Sequence, residues 1–173
     1  IVVLVFAEQQ KGLFKKATFE AVSYGAAVAS QTGTTCAAIV LGEASDAAQL
    51  GAYGATTVFH VTDSKLNNLE AKAYAKAITS IAGEHNASVL IFSNNNTAKA
   101  IAPRVAARLK AGLVAGAIAI PDTANGFVVK KSVFSGKAFA YVKINSAIKT
   151  TSAVISNIGN ALSFLQTQDG RSE

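Results

Sequence analysis

The chain has 173 residues, of which 50% are hydrophobic and 15% charged, a balance that excludes intrinsic disorder and suits one domain with a sizeable core. Lys and Arg number 16 against 10 Asp and Glu, a net charge of +6. Yet Lys15-Lys16, Lys99, Arg104, Arg108, Lys110, Lys130-Lys131 and Lys137 are scattered singly or in pairs, without the interleaved aromatics of a nucleic-acid surface, so the excess reads as solvated charge and no nucleic-acid partner is expected.

In chain order, Ile1 to Ala7 is a continuous β-branched and apolar run, the mark of a strand buried on both faces. A turn at Gly12 leads into a helix over Lys16 to Gln31, with Phe19, Val22, Ala26 and Ala29 on one face and Gly33 as a left-handed stop. Thr35 to Leu41 is a second strand. A short helix over Ala44 to Tyr53 ends at Gly54, and Thr57 to Val61 is a third strand. A long helix over Leu69 to His85 turns Tyr74, Ile78 and Ile81 inward. Ser88 to Phe92, a helix over Thr97 to Lys110, and Leu113 to Ile120 complete the alternation.

Strands separated by helices imply right-handed crossovers and a parallel sheet covered on both faces. After Pro121 the rhythm changes: Phe127 to Phe134, Ala138 to Ile144 and Thr150 to Ser156 are strands with short turns between them, expected as antiparallel additions to the sheet edge or a flanking ribbon. The fold class is therefore α/β, three layers in the order α/β/α, with a mostly parallel sheet of about five strands plus C-terminal antiparallel strands. The apolar runs are too short to span a bilayer, and direct membrane insertion is not expected.

Chemistry-bearing residues are few. The single Cys36 lies in an apolar run and reads as a buried, inert thiol, which fits a reducing compartment. His60 at a strand end and His85 in the last turn of a helix have no Cys, Asp or Glu at metal-ligand spacing, so both read as structural, and neither zinc nor another metal is expected. No G-x-S-x-G elbow supports a nucleophile, and no catalytic residues are assigned. After the first strand, Ala7 to Gly12 reads AEQQKG rather than G-x-G-x-x-G, which disfavours a dinucleotide site; no Walker A motif is present.

One loop stands apart. Ser93, Asn94, Asn95, Asn96 and Thr97, followed by Lys99, leave the carboxyl end of the fourth strand and enter a helix. If the fourth strand lies beside the first, this is the topological switch point, where open α/β sheets place ligands. Two readings stay open: the asparagines cap the helix or touch a partner, or free amides with Lys99 hold a small anion. Capping predicts that alanine at Asn94, Asn95 and Asn96 costs roughly 1 kcal/mol. Pro103 is expected in the first turn of that helix or at a kink. Arg104 and Arg108 flank the apolar stripe of Ile101, Val105 and Leu109, with their stems laid over it.

Read through to Leu113, this segment resembles the electron transfer flavoprotein alpha subunit, most specifically in Ala102 to Leu109, APRVAARL. Val3 to Glu8 (VLVFAE), the Tyr53-Gly54-Ala55 corner and Phe134 to Ala138 (FSGKA) resemble the same family in the same order, so the likeness covers nearly the whole chain. The resemblance implies an adenine nucleotide alpha hydrolase-like fold over residues 1–160 and a heterodimer with a beta subunit. It implies an FAD cofactor held mainly by a second, C-terminal domain. Electrons would pass from dehydrogenases, typically acyl-CoA dehydrogenases, to a quinone oxidoreductase or similar acceptor. The setting would be the bacterial cytoplasm, as part of fatty acid beta-oxidation, or the mitochondrial matrix.

On this view the chain is a scaffold domain and an electron-carrier fragment rather than an enzyme, and binds no FAD by itself. The lack of methionine and the polar tail from Gln166 to Glu173 lead to the expectation of a piece of a longer polypeptide, with residues 161–173 the start of a linker. Ala98 stands where the family usually has glycine, and its methyl group works against a nucleotide in the loop. The alternatives are a stand-alone adenine-nucleotide-binding domain, supported by the switch-point loop, and a small hydrolase, for which nucleophile and base are lacking. A truncated platform is also expected to expose apolar surface.

Overall fold

A computed structural model describes residues 1–154. The proposed 160/161 boundary, the linker over 161–173 and the end of the last expected strand (155–156) lie outside the described residues. The first strand, β1 (Val2–Phe6), is buried throughout and alternates strictly between two cores. Val3 and Val5 face one side, and Val2, Leu4 and Phe6 the other, because successive residues of a strand point to opposite faces. A short hairpin follows, β2 (Gln9–Gln10) with β3 (Leu13–Phe14), turned by Lys11 and Gly12, both at positive φ. The expected Gly12 turn is therefore the tip of a small ribbon.

Helix α1 (Lys16–Thr32) ends at Gly33, whose φ of 64° is the left-handed conformation that a β-carbon penalises. Then come β4 (Thr35–Leu41), a 3-10 helix over Ala47–Tyr53 closed by Gly54, β5 (Thr57–Val61), α2 (Ala71–Glu84), β6 (Ala87–Ser93), α3 (Asn96–Leu109) and β7 (Gly112–Ala117). Each falls on its expected segment within a few residues. Pro103 lies past the first turn of α3, not within it. It lacks an N–H to give the Lys99 carbonyl, and Lys99 is exposed, so water can take that carbonyl.

The chain closes with β8 (Phe127–Val133), β9 (Ala138–Ile144) and β10 (Lys149–Ala153). One eight-stranded sheet runs β5-β4-β1-β6-β10-β7-β8-β9. Helix α1 covers one face, through Ala21, Val22, Tyr24 and Val28; α2 and α3 cover the other, through Tyr74, Ile78, Ile101 and Val105. The three layers are α/β/α, with β8 and β9 antiparallel at one edge.

The last strand corrects an expectation. Instead of joining the antiparallel edge, β10 inserts parallel between β6 and β7. Its sequence, KTTSA, looks like an exposed strand, but Thr150, Thr151 and Ser152 are buried. Two of the three hydroxyls find partners: Thr151 Oγ1 donates to the Val114 carbonyl at 2.8 Å, and Ser152 Oγ accepts from Gly116 N–H at 3.2 Å. Buried polar groups that find partners lose most of their desolvation cost. Among the described residues, no helix is long and apolar enough to cross a membrane.

Candidate functional site

The order β4-β1-β6 puts the first and fourth parallel strands side by side, with the chain leaving β1 toward one side and β6 toward the other. The switch point thus lies between the ends of β1 and β6. Two segments meet there: Ala7 and Glu8 after β1, and the Ser93–Thr97 loop after β6. Glu8 reaches across and takes the loop with both carboxylate oxygens. Asn95 Nδ2 donates to Oε2 at 2.8 Å, and Thr97 Oγ1 donates to Oε1 at 2.7 Å. The Glu8 backbone carbonyl accepts from Thr18 Oγ1 at 2.8 Å, which anchors the same residue to the first turn of α1.

Each loop residue has a separate place. Asn95 is the N-cap of α3, its Oδ1 accepting from Ala98 N–H at 2.9 Å. Asn94 turns away to β10: its N–H donates to the Ala153 carbonyl at 2.9 Å, and its Oδ1 accepts from Ser152 Oγ at 3.1 Å. Ser93 Oγ donates to the Ala17 carbonyl at 3.4 Å. Asn96 and Lys99 are exposed in the first turn of α3, and the Ala98 methyl is buried against the core shared by α2 and α3. A cleft of about 270 Å³ opens here, lined by Glu8, Lys15, Thr18, Ser93, Asn95 and Thr97 among others; Asn94 and Lys99 lie outside that lining.

The carboxylate makes the electrostatics of this cleft unlike those of a phosphate cradle. A helix N-terminus favours negative charge, and here that charge comes from within the chain. Its field extends inward: the Tyr74 hydroxyl is held above its ordinary pKa by burial first, and then by the negative charge of Glu8. That hydroxyl donates to the Leu66 carbonyl. Sequence reasoning passed over Glu8 as a side chain with a role, although an acidic residue directly after a doubly buried strand is placed at the switch point by the fold.

The other candidates settle into structural positions. Cys36 is buried, its Sγ facing the Val22 carbonyl at 3.9 Å, and burial pushes the thiol from 9.0 to about 12. His60 Nε2 pairs with the Gly42 carbonyl at 2.8 Å, and His85 stacks on Phe59 with ring centroids 4.0 Å apart. Among the described residues, no group of three His, Cys, Asp or Glu converges as a metal site. Arg104 and Arg108 are exposed beside the buried Ile101 and Val105.

The chain is similar to several known proteins. The electron transfer flavoprotein alpha subunit of Bacillus subtilis is 31% identical over 142 residues, which are 81% of this chain and 43% of that protein. The alpha subunit of Thermoanaerobacterium thermosaccharolyticum is 26% identical over 170 residues, 96% of this chain and 52% of that protein. A protein named acryloyl-CoA reductase electron transfer subunit beta, from Anaerotignum propionicum, is 32% identical over 126 residues, 72% of this chain and 34% of that protein. The chain thus spans about half the length, or less, of the curated relatives it matches. Residues 3–155 match the family model described as the electron transfer flavoprotein domain, a stretch that runs from β1 through the switch-point loop to β10, and the chain belongs to that family.

Proposed function

We propose that this domain is the N-terminal platform of an electron transfer flavoprotein alpha subunit, extending to about residue 160 and continuing through a linker. With a beta subunit it forms a base for a separate domain that holds FAD. Electrons pass through that flavin from dehydrogenases, acyl-CoA dehydrogenases among them, to a quinone oxidoreductase or similar acceptor, in the bacterial cytoplasm or mitochondrial matrix. The names and lengths of the relatives support this reading.

One geometric observation carries the platform role: the Glu8 carboxylate sits on Asn95 and Thr97, where an anionic cofactor group would bind. FAD does not fit the cleft, because its pyrophosphate would lie against a carboxylate at close range. The loop then caps α3 and braces β1, β6 and β10 rather than holding a ligand. The test is reconstitution. Alone, the purified chain leaves flavin fluorescence unquenched on titration with FAD and gives no calorimetric signal with AMP. Combined with a beta subunit and a flavin domain, it enters a yellow complex. Saturable micromolar FAD or AMP binding by the chain alone would overturn the platform reading and favour an adenine-nucleotide-binding domain.

A further inference from the structure

Strands β8 and β9 form a hairpin arm at one end of the sheet. Seven residue pairs join β8 to β9, from Phe127↔Ile144 to Val133↔Ala138, while β7 and the segment after it hold β8 at Ala117↔Lys131, through the Ile118 N–H donating to the Lys130 carbonyl, and at Asp122↔Val128. The base is anchored, because Phe127, Val129 and Ile144 are buried in the core under α1. Among the described residues, β9 is one of the two terminal strands of the sheet, and its outer edge pairs with nothing. Along its outer face Phe139 and Tyr141 are 55% and 68% exposed, and Phe134 at the tip is 79% exposed. Lys130 Nζ lies 4.3 Å from the Phe139 ring centroid and 5.8 Å from that of Tyr141. Residues 127–144 carry Lys130, Lys131, Lys137 and Lys143 and no Asp or Glu.

Lysines alone on an edge strand would be protection against edge-to-edge aggregation. Exposed aromatic rings beside them are the opposite of protection, since they supply apolar area for contact. We propose that the β8–β9 arm is a docking finger for an acidic polypeptide segment in extended conformation, which adds to the free edge of β9. Backbone pairing would give affinity, the aromatic rings would take alternate apolar side chains, and the lysines would select acidic ones. A second copy of this chain is disfavoured, because two such arms edge to edge would set lysines against lysines. Nucleic acid is disfavoured because it cannot use a free strand edge. This inference rests on the arm alone and stands apart from the platform reading.

The experiment uses the full chain and a short fluorescent peptide of Glu-Glu-Val-Val repeats, which puts acidic and apolar side chains on each face of an extended strand, read by anisotropy at about 0.15 M salt. Saturable binding is expected, with amide shifts confined to residues 127–144. The pair Lys130→Glu and Lys143→Glu, or the pair Phe139→Ser and Tyr141→Ser, weakens binding by about tenfold or more. The wild-type shift map serves as the readout should either variant fail to fold. Absence of saturation, equal affinity for a Lys-Val peptide, tighter binding of a single-stranded oligonucleotide, or self-association through the arm would each overturn the proposal.

Discussion

At Gly25, α1 comes closest to the sheet. A β-carbon there would lie 2.2 Å from Val5 Cγ2 and 3.2 Å from Cys36 Sγ, both short side chains with no room to retreat. Alanine improves helix propensity by about 1 kcal/mol, whereas overpacking a filled core costs about 1–3 kcal/mol. The clash wins. Gly25→Ala is expected to destabilise the domain by roughly 1–2 kcal/mol, seen as a lower urea midpoint. Thr150 presents the reverse case. Its Oγ1 is buried without a hydrogen-bond partner among the described residues, while Thr151 Oγ1 donates to Val114 O. Thr150→Val should leave stability unchanged or raise it by about 1 kcal/mol, and Thr151→Val should lower it by about 1 kcal/mol. Chemical denaturation of the pair checks the contrast.

Among the elements, α3 depends on one asparagine of the three. Asn95 caps its start and also donates to Glu8; Asn94 braces β10; Asn96 is exposed. Asn95→Ala is expected to cost about 1 kcal/mol, and Asn96→Ala to stay within about 0.5 kcal/mol. Thermal melts of the two single variants measure the difference, and equal losses would place the cap elsewhere. The elements legible in the sequence were those with an unambiguous period and stop, such as α1 with Gly33 and β4 with its apolar run. The short β2–β3 ribbon was not: two-residue strands carry no period, and the Gly12 turn reads equally well as the entry to a helix. The switch-point loop was found from its composition, but its partner Glu8 was not, since the bond joins residues 87 positions apart.

The whole molecule should respond to alkali in a definite direction. Burial raises the Cys36 thiol from 9.0 to about 12 and raises the Tyr24 hydroxyl above its ordinary 10.0. Both therefore hold their protons more tightly folded than unfolded. Their stabilising contribution is complete below the unfolded values and fades as pH rises through the interval above them. Stability should be flat to about pH 9 and then fall by up to about 1.4 kcal/mol per pH unit for each such group. Cys36→Ala should delay the onset to the tyrosine range. Urea midpoints across that range provide the measurement. Position within the sheet has a second consequence: β10 has parallel neighbours on both sides, so its amides should exchange with deuterium as slowly as those of β1, despite its polar sequence.

The sequence by itself determined the class of the fold, because a run such as Val2 to Phe6 can satisfy its side chains only between two apolar layers, and helices of the right period lie on either side of it in the chain. Tertiary structure alone decided where KTTSA belongs and what occupies the switch point. Threonine and serine are equally at home on a wet edge or in a dry centre that offers them carbonyls and amides. Whether such partners exist depends on strands distant in sequence, as does the meeting of Glu8 with Asn95 and Thr97.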